Sequence, residues 1–69
     1  MFWERDGEAY HATVADAAGA VEFHLVVEVV PDGSWTWTIW RAGDPPRLTR
    51  YATSGTAEEA MGAAEQTAQ

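Results

Sequence analysis

Apolar and polar residues alternate with a period of two along much of the first forty residues. Such alternation predicts strands with one buried face. The first strand is predicted from Glu8 to Ala15, with Tyr10, Ala12 and Val14 on one side. A second is predicted from about Ala20 to Val30, and a third begins at Trp35. In the second strand the odd positions form the predicted core face: Val21, Phe23, Leu25, Val27 and Val29.

The turn between the second and third strands fixes their register. A two-residue turn at Asp32-Gly33 would place the tryptophans opposite the polar side of the second strand. A three-residue loop over residues 31–33, with a G1 bulge at Gly33, instead pairs Val27 with Trp37. A slip of one residue moves every side chain to the other face. We therefore predict the three-residue loop and a positive φ at Gly33, with Leu25 facing Ile39.

The same argument applies to the turn between the first two strands. A four-residue turn over residues 16–19 pairs Ala15 with Ala20 and Val14 with Val21, and it keeps the apolar faces together. On the opposite face this register predicts a row across three strands, formed by His11, His24 and Trp40.

The last third of the chain predicts one more strand and a helix. Leu48 to Thr53 alternates without showing which side is buried; Leu48 and Ala52 are the core candidates, which leaves Tyr51 outside. Thr56 is the predicted N-cap of the helix, in a capping box with Glu59. A stripe of small residues then follows at helical spacing, and three glutamates face water: Ala57, Ala60, Met61, Ala64 and Ala68, with Glu58, Glu59 and Glu65.

These elements predict an α+β fold: an antiparallel meander of three to four strands with one C-terminal helix packed on one face. The 69 residues make a single domain, 1–69. A chain of this size buries only about 60% of the surface exposed when it is unfolded. With no cysteine, neither disulfides nor thiolate-bound metals stabilise it. Either the core is unusually efficient or the chain forms a homodimer.

The charge balance argues against nucleic acid as the main partner. Eleven acidic residues outnumber four arginines, and the net charge is −7. Affinity for a phosphate backbone comes from lysine and arginine. Three arginines do lie close in sequence, and they define the alternative function, a nucleic-acid-binding module using Arg41, Arg47 and Arg50.

No targeting or membrane segment is expected. The N-terminal residues lack a basic region followed by an apolar run, so no signal peptide is predicted. The most apolar stretch, residues 21–30, is interrupted by charged residues and by His24. A cytoplasmic location without membrane contact is therefore expected.

The chain offers little catalytic chemistry. It has no cysteine, no glycine-rich phosphate loop and no serine placed near a histidine by local pattern. We therefore predict no enzyme, no catalytic residue and no cofactor. Candidate metal ligands are His11, His24 and Glu22 on the face away from the helix, but they match no metal-binding motif. An ordinary polar sheet face is the preferred interpretation, and no metal site is predicted.

A protein interface on that same face is the functional prediction. The candidate residues combine apolar and aromatic side chains with polar neighbours, which is typical of interaction surfaces; they are His24, Val26, Val30, Trp40 and Tyr51. The partner would be another protein or a second copy. The alternative is that Phe2 and Trp3 fold back and cover this face.

Two sequence patterns resemble known families. The stretch from Ser54 to Glu65, with Gly55-Thr56 followed by Glu59-Ala60, resembles the strand-to-helix junction of HicB-type antitoxins, which implies a helix packed on a three-stranded sheet. Strands followed by a helix, with tryptophans on the strands, resemble the AP2-like N-terminal domains of phage integrases, which implies DNA contact through the sheet. More generally, the chain is similar to small uncharacterised bacterial and phage proteins with a tryptophan-rich sheet and one helix.

Overall fold

The computed structural model describes residues 1–68, which form one antiparallel sheet and one helix. Gln69, the last residue of the predicted domain, lies outside the described residues. The strands lie side by side in chain order. The bounds of the elements are β1 Glu4–Asp6, β2 Ala9–Ala15, β3 Val21–Val29, β4 Trp35–Arg41, β5 Arg47–Ser54 and α1 Ala57–Ala68. The α+β meander is confirmed, with five strands in place of three to four.

The additional strand is β1, which sequence alternation did not reveal. It is three residues long and pairs with β2, Glu4 lying opposite His11 and Asp6 opposite Ala9. The connection is a two-residue loop whose first residue, Gly7, has a φ of 64°. A positive φ at the first loop residue is what a type II′ hairpin turn requires. Glycine at the first position of a two-residue loop is the sequence signal for this turn type.

The hairpin between β3 and β4 has the predicted register. Val29 pairs with Trp35, Val27 with Trp37 and Leu25 with Ile39. Gly33 has a φ of 90°, and its N–H donates to the carbonyl of Val30 at 2.9 Å. The carboxylate of Asp32 accepts from both the backbone N–H and the hydroxyl of Ser34, at 2.9 and 2.6 Å. The bulged three-residue loop is therefore confirmed.

The register between β2 and β3 differs from the prediction by two residues. Ala12 lies opposite Leu25 in place of Phe23. The loop has five residues, because the Asp16 carboxylate accepts from the N–H groups of Ala18 and Ala20. A five-residue loop alone would exchange the faces. A bulge leaves Glu22 without its own partner on β2 and restores the apolar face beyond it.

A second bulge lies between β4 and β5. Ile39 pairs with Arg50 and Trp40 with Leu48, so Thr49 has no partner of its own. The Thr49 hydroxyl donates to the Ile39 carbonyl at 2.9 Å. Leu48 consequently lies beside Trp40 on the face away from α1 and is 42% exposed. The prediction of Leu48 and Ala52 as core residues was therefore wrong: Ala52 does lie opposite the buried Trp37, on the helix side, but it is itself exposed.

The core lies between α1 and the central strands. The N–H of Glu59 donates to the Thr56 hydroxyl at 3.1 Å, which confirms Thr56 as the N-cap. Ala60 and Ala64 are fully buried, because alanines let the helix approach a sheet that carries large side chains. The buried cluster is completed by residues of three strands, Ala12, Leu25, Val27, Trp37 and Ile39.

Candidate functional site

The sheet face away from α1 carries the predicted interface residues, and we call it the open face. His24 lies opposite Trp40, as predicted. Val26 lies opposite Thr38, which in turn lies opposite Tyr51. Val30 follows the end of β3 and donates its N–H to the carbonyl of Ser34. The predicted residues therefore lie on one face of three adjacent strands.

Trp40 lies at the centre of this surface and is half-buried. Its Nε1 donates to the Thr38 hydroxyl two residues earlier, at 3.0 Å. That bond joins the indole to Thr38, whose cross-strand partner on β3 is Val26. Tyr51 on the edge strand is 71% exposed. The open face therefore carries one aromatic ring fixed by a hydrogen bond, that of Trp40, and one exposed aromatic ring, that of Tyr51.

Two further apolar residues join the open face because of the bulges. Beyond the Glu22 bulge, Val21 pairs with Ala15 and is 43% exposed, although it was predicted to lie on the core face. Leu48 is the counterpart on β5. Alternation within a strand contains no signal for either shift, since the alternation itself breaks at the bulge.

Of the two N-terminal residues considered as a cover, Trp3 does not lie on the open face, whereas Phe2 lines a cavity there with His11 and His24. Trp3 packs against the core cluster, and its Nε1 donates to Glu65 Oε1 at 2.7 Å. Trp3 is therefore on the helix side, and Glu65 binds it instead of only facing water. Phe2 is 78% exposed. No helix or strand among residues 1–68 lies across the open face.

The candidate metal ligands are not brought into one row. His11 lies opposite Val26, and Thr13 occupies the predicted place opposite His24. Glu22 is the bulged residue of β3. Within the described residues, no group of three or more histidine and acidic side chains has the arrangement needed to hold a metal ion.

The three arginines of the alternative function lie on the helix side of the sheet. Arg41 pairs with Arg47 across β4 and β5, and Arg50 lies opposite the core residue Ile39. The guanidinium of Arg41 lies 5.6 Å from the centre of the Phe23 ring. All three side chains are exposed. They form a basic cluster separate from the open face.

Comparison with protein-family models, curated proteins and solved structures finds no match to this chain. The resemblances to HicB-type antitoxins and AP2-like domains therefore stay predictions. Within residues 1–68, no helix has both the length and the apolarity needed to cross a bilayer.

Proposed function

We propose that this chain is a small non-enzymatic module that binds another protein, or a second copy of itself, through the open face. The observation that supports this most directly is the exposure of apolar side chains on a face that α1 does not cover. Val21, Leu48 and Tyr51 are 43, 42 and 71% exposed. Monomeric proteins rarely leave a large contiguous apolar surface in water without a use for it.

The composition of the open face also suits a protein partner. Trp40 and Tyr51 are of the residue types that most often anchor interfaces. Polar side chains surround the apolar ones, among them Thr36, His24 and Glu28. An apolar centre with a polar rim is the usual anatomy of an interface.

Self-association is one form of this function. A two-fold dimer would place the open face of one copy on that of the other, since such an interface uses the same patch twice. Each copy carries a net charge of −7. Repulsion between the copies would be largely screened beyond about 8 Å at physiological salt, so the apolar contact would decide the outcome.

The test measures self-association and partner binding with the same variants. Sedimentation equilibrium would follow mass against concentration, and affinity selection from a displayed protein library would supply partners. We expect Trp40→Ser or Val26→Ser to weaken whichever association is found by about 30-fold, the effect of losing an anchor of ~2 kcal/mol.

The matched control is Glu58→Gln, an exposed change on α1. A chain that stays monomeric at millimolar concentration, and whose selected partners bind both open-face variants as tightly as the original, would refute the proposal. A gel shift at low salt that requires Arg41, Arg47 and Arg50 would favour the nucleic-acid alternative.

A further inference from the structure

The bulge at Thr49 brings two arginines of β5 to the same side of the sheet. Positions 47 and 50 are three apart, so on a regular strand they would point to opposite faces. Because Thr49 has no partner of its own, Arg47 lies opposite Arg41 while Arg50 lies opposite Ile39. All three arginines therefore share the helix side. Like charges directly opposite each other destabilise a sheet.

The surroundings neutralise only part of this positive charge. A shallow cavity of about 430 Å³ lies between β5 and the end of α1, and Arg41, Thr49 and Arg50 line it. Glu22 is the acidic residue in its lining. The C-terminal end of a helix adds roughly half a negative charge. The two arginines that line the cavity, Arg41 and Arg50, therefore exceed the roughly one and a half negative charges beside them, and Arg47 lies on the same side of the sheet.

The outer edge of β5 is also free. β5 pairs with β4 on one side and has no second strand beside it among residues 1–68. Its eight residues run from Arg47 to Ser54, a length of roughly 26 Å at 3.3 Å per residue. Natural edges are commonly protected by proline, short length, charged side chains or bulges. β5 is long and lacks proline, so its arginines and the Thr49 bulge are the protection that it has. An unpaired edge is where an extended peptide adds as a strand.

Charge separates this edge from the rest of the molecule. No acidic residue occurs from Pro45 to Ala57, although the net charge is −7. The opposite edge of the sheet carries Glu4 and Asp6 on β1. β5 is therefore the basic edge of an acidic protein.

We propose that the free edge of β5 binds an acidic, extended segment of a partner protein by strand addition. This inference rests on the protein-binding function proposed above and specifies the partner. In an added strand, alternate side chains would lie beside Arg47 and Arg50 on one face. The others would lie beside Leu48 and Tyr51 on the other face. The preferred segment alternates carboxylate with apolar side chains.

A peptide explains these features better than nucleic acid does. Three arginines neutralise at most three phosphates, which gives little affinity on a chain of charge −7. A peptide would also pair with the backbone N–H and carbonyl groups of the β5 edge, which a phosphate backbone cannot do in register. Arginine binds carboxylates bidentately, so each added pair is directional.

The experiment titrates the full chain, labelled with ¹⁵N, with an eight-residue peptide that alternates valine and glutamate and has blocked ends. We expect amide shifts concentrated in β5 and affinity that falls as salt is raised. The double variant Arg47→Gln/Arg50→Gln should bind at least tenfold more weakly. Arg5→Gln is the control for the single variants Arg47→Gln and Arg50→Gln, because each removes one positive charge and Arg5 lies on the opposite edge strand β1.

Two further peptides separate charge from strand addition. A peptide with lysine in place of glutamate should not bind, and one with N-methyl groups along one backbone edge should bind at least tenfold more weakly. Equal binding of the N-methylated peptide, or no loss in the arginine double variant, would overturn the proposal. So would tighter binding of a single-stranded oligonucleotide with the same arginine dependence, or a dimer that dissociates in that variant.

The two proposals fail separately. If Trp40→Ser abolishes the binding of a selected partner while Arg47→Gln/Arg50→Gln leaves it intact, only the strand-addition proposal is wrong. If the arginine variant abolishes it and Trp40→Ser does not, the partner binds at the β5 edge and the open face is not the interface.

Discussion

Neighbouring tryptophans on β4 have opposite environments. Trp37 is 7% exposed and packs under α1, and its Nε1 has no hydrogen-bond partner among the described residues. Trp40 lies on the other face, with its Nε1 bonded to Thr38. A buried donor without a partner carries a cost of about 1–3 kcal/mol. Trp37 therefore contributes through the apolar volume that it fills.

Truncation of these two tryptophans should separate folding from binding. Trp37→Ala removes a core side chain and is expected to cost about 3–5 kcal/mol, as much as the ~3–5 kcal/mol that a core of this size supplies. The variant should be largely unfolded at 25 °C by circular dichroism. Trp40→Ala should retain a cooperative thermal transition. A folded Trp37→Ala variant would mean that the helix–sheet core does not hold the fold.

The carboxylate of Asp32 is tuned by the turn that contains it. The hydrogen bond from the Ser34 hydroxyl, followed by that from the Ser34 backbone N–H, lowers the pKa of Asp32 below its ordinary value of 3.8. Because the folded-state pKa is the lower one, this contribution to stability is complete above the unfolded-state pKa. It is lost as the pH falls through the folded-state value.

Ser34→Ala should raise the pKa of Asp32 toward its ordinary value, because the hydroxyl donor is removed while the backbone donor remains. A carbon-detected NMR titration of the Asp32 carboxyl measures this directly. Ser54→Ala, at the end of β5, is the control and should leave the titration unchanged. An unaltered Asp32 pKa in the Ser34 variant would show that the hydroxyl bond does not form in solution.

At the scale of elements, face assignments could be predicted from sequence more securely than registers. Matching the apolar faces of two strands excludes a register shift of one residue, because that shift moves every side chain to the opposite face. It does not exclude a shift of two residues. It placed β4 correctly on β3, where the Pro31-Asp32-Gly33 turn fixed the loop length. On β2 the same argument allowed a shift of two residues, which the Asp16 loop and the Glu22 bulge together introduce.

The candidate site shows the same limit. His24 and Trp40 could be paired from sequence because no bulge separates them from the β3–β4 turn. Val21 and Leu48 could not, because each lies beyond a bulge that exchanges its face. At one of the two bulges the Thr49 hydroxyl bonds the Ile39 carbonyl. Hydrophobic patterning does not report such bonds.

Two glycine substitutions should have opposite effects on stability. Gly33 has a φ of 90°, where an L side chain is strained, so Gly33→Ala should lower the free energy of unfolding by about 1–2 kcal/mol. Gly62 lies inside α1 with no atom within 4 Å of an added Cβ. Gly62→Ala should raise it by about 0.5–1 kcal/mol. Urea unfolding measures both. A Gly33→Ala variant as stable as the original would contradict the turn assignment, and a destabilised Gly62→Ala variant would contradict the helix assignment.

At the scale of the whole molecule, the two faces of the sheet differ in whether a helix covers them, and the two edge strands differ in charge. α1 and Trp3 cover one side, and the bond from Trp3 to Glu65 joins the segment before β1 to the final helix across 62 positions of sequence. The other side is open. This bond therefore adds to the pairing of β1 with β2 in holding the short edge strand to the core.

Glu65→Ala should release that tie. A hydrogen bond to a charged group contributes about 1.5–3 kcal/mol when buried, and we expect about 1 kcal/mol here because the bond is only partly buried. Hydrogen exchange should accelerate in β1 more than in β4. Glu58→Ala, an exposed change on the same helix, is the comparison. Equal acceleration in both strands would indicate general destabilisation in place of a local release.

The Thr49 bulge also predicts which changes of chain length β5 tolerates. Deleting Thr49 leaves a regular ladder in which Leu48 still lies opposite Trp40 and Arg47 opposite Arg41. Deleting Ala52 would also remove the bulge, but by shifting residues 49–51 by one position along β4. Tyr51 would then lie toward α1 and Arg50 toward the open face. Deletion of Thr49 would thus leave the remaining side chains of β5 on their original faces. Deletion of Ala52 would move Arg50 to the open face and Tyr51 to the helix side, although neither residue is substituted.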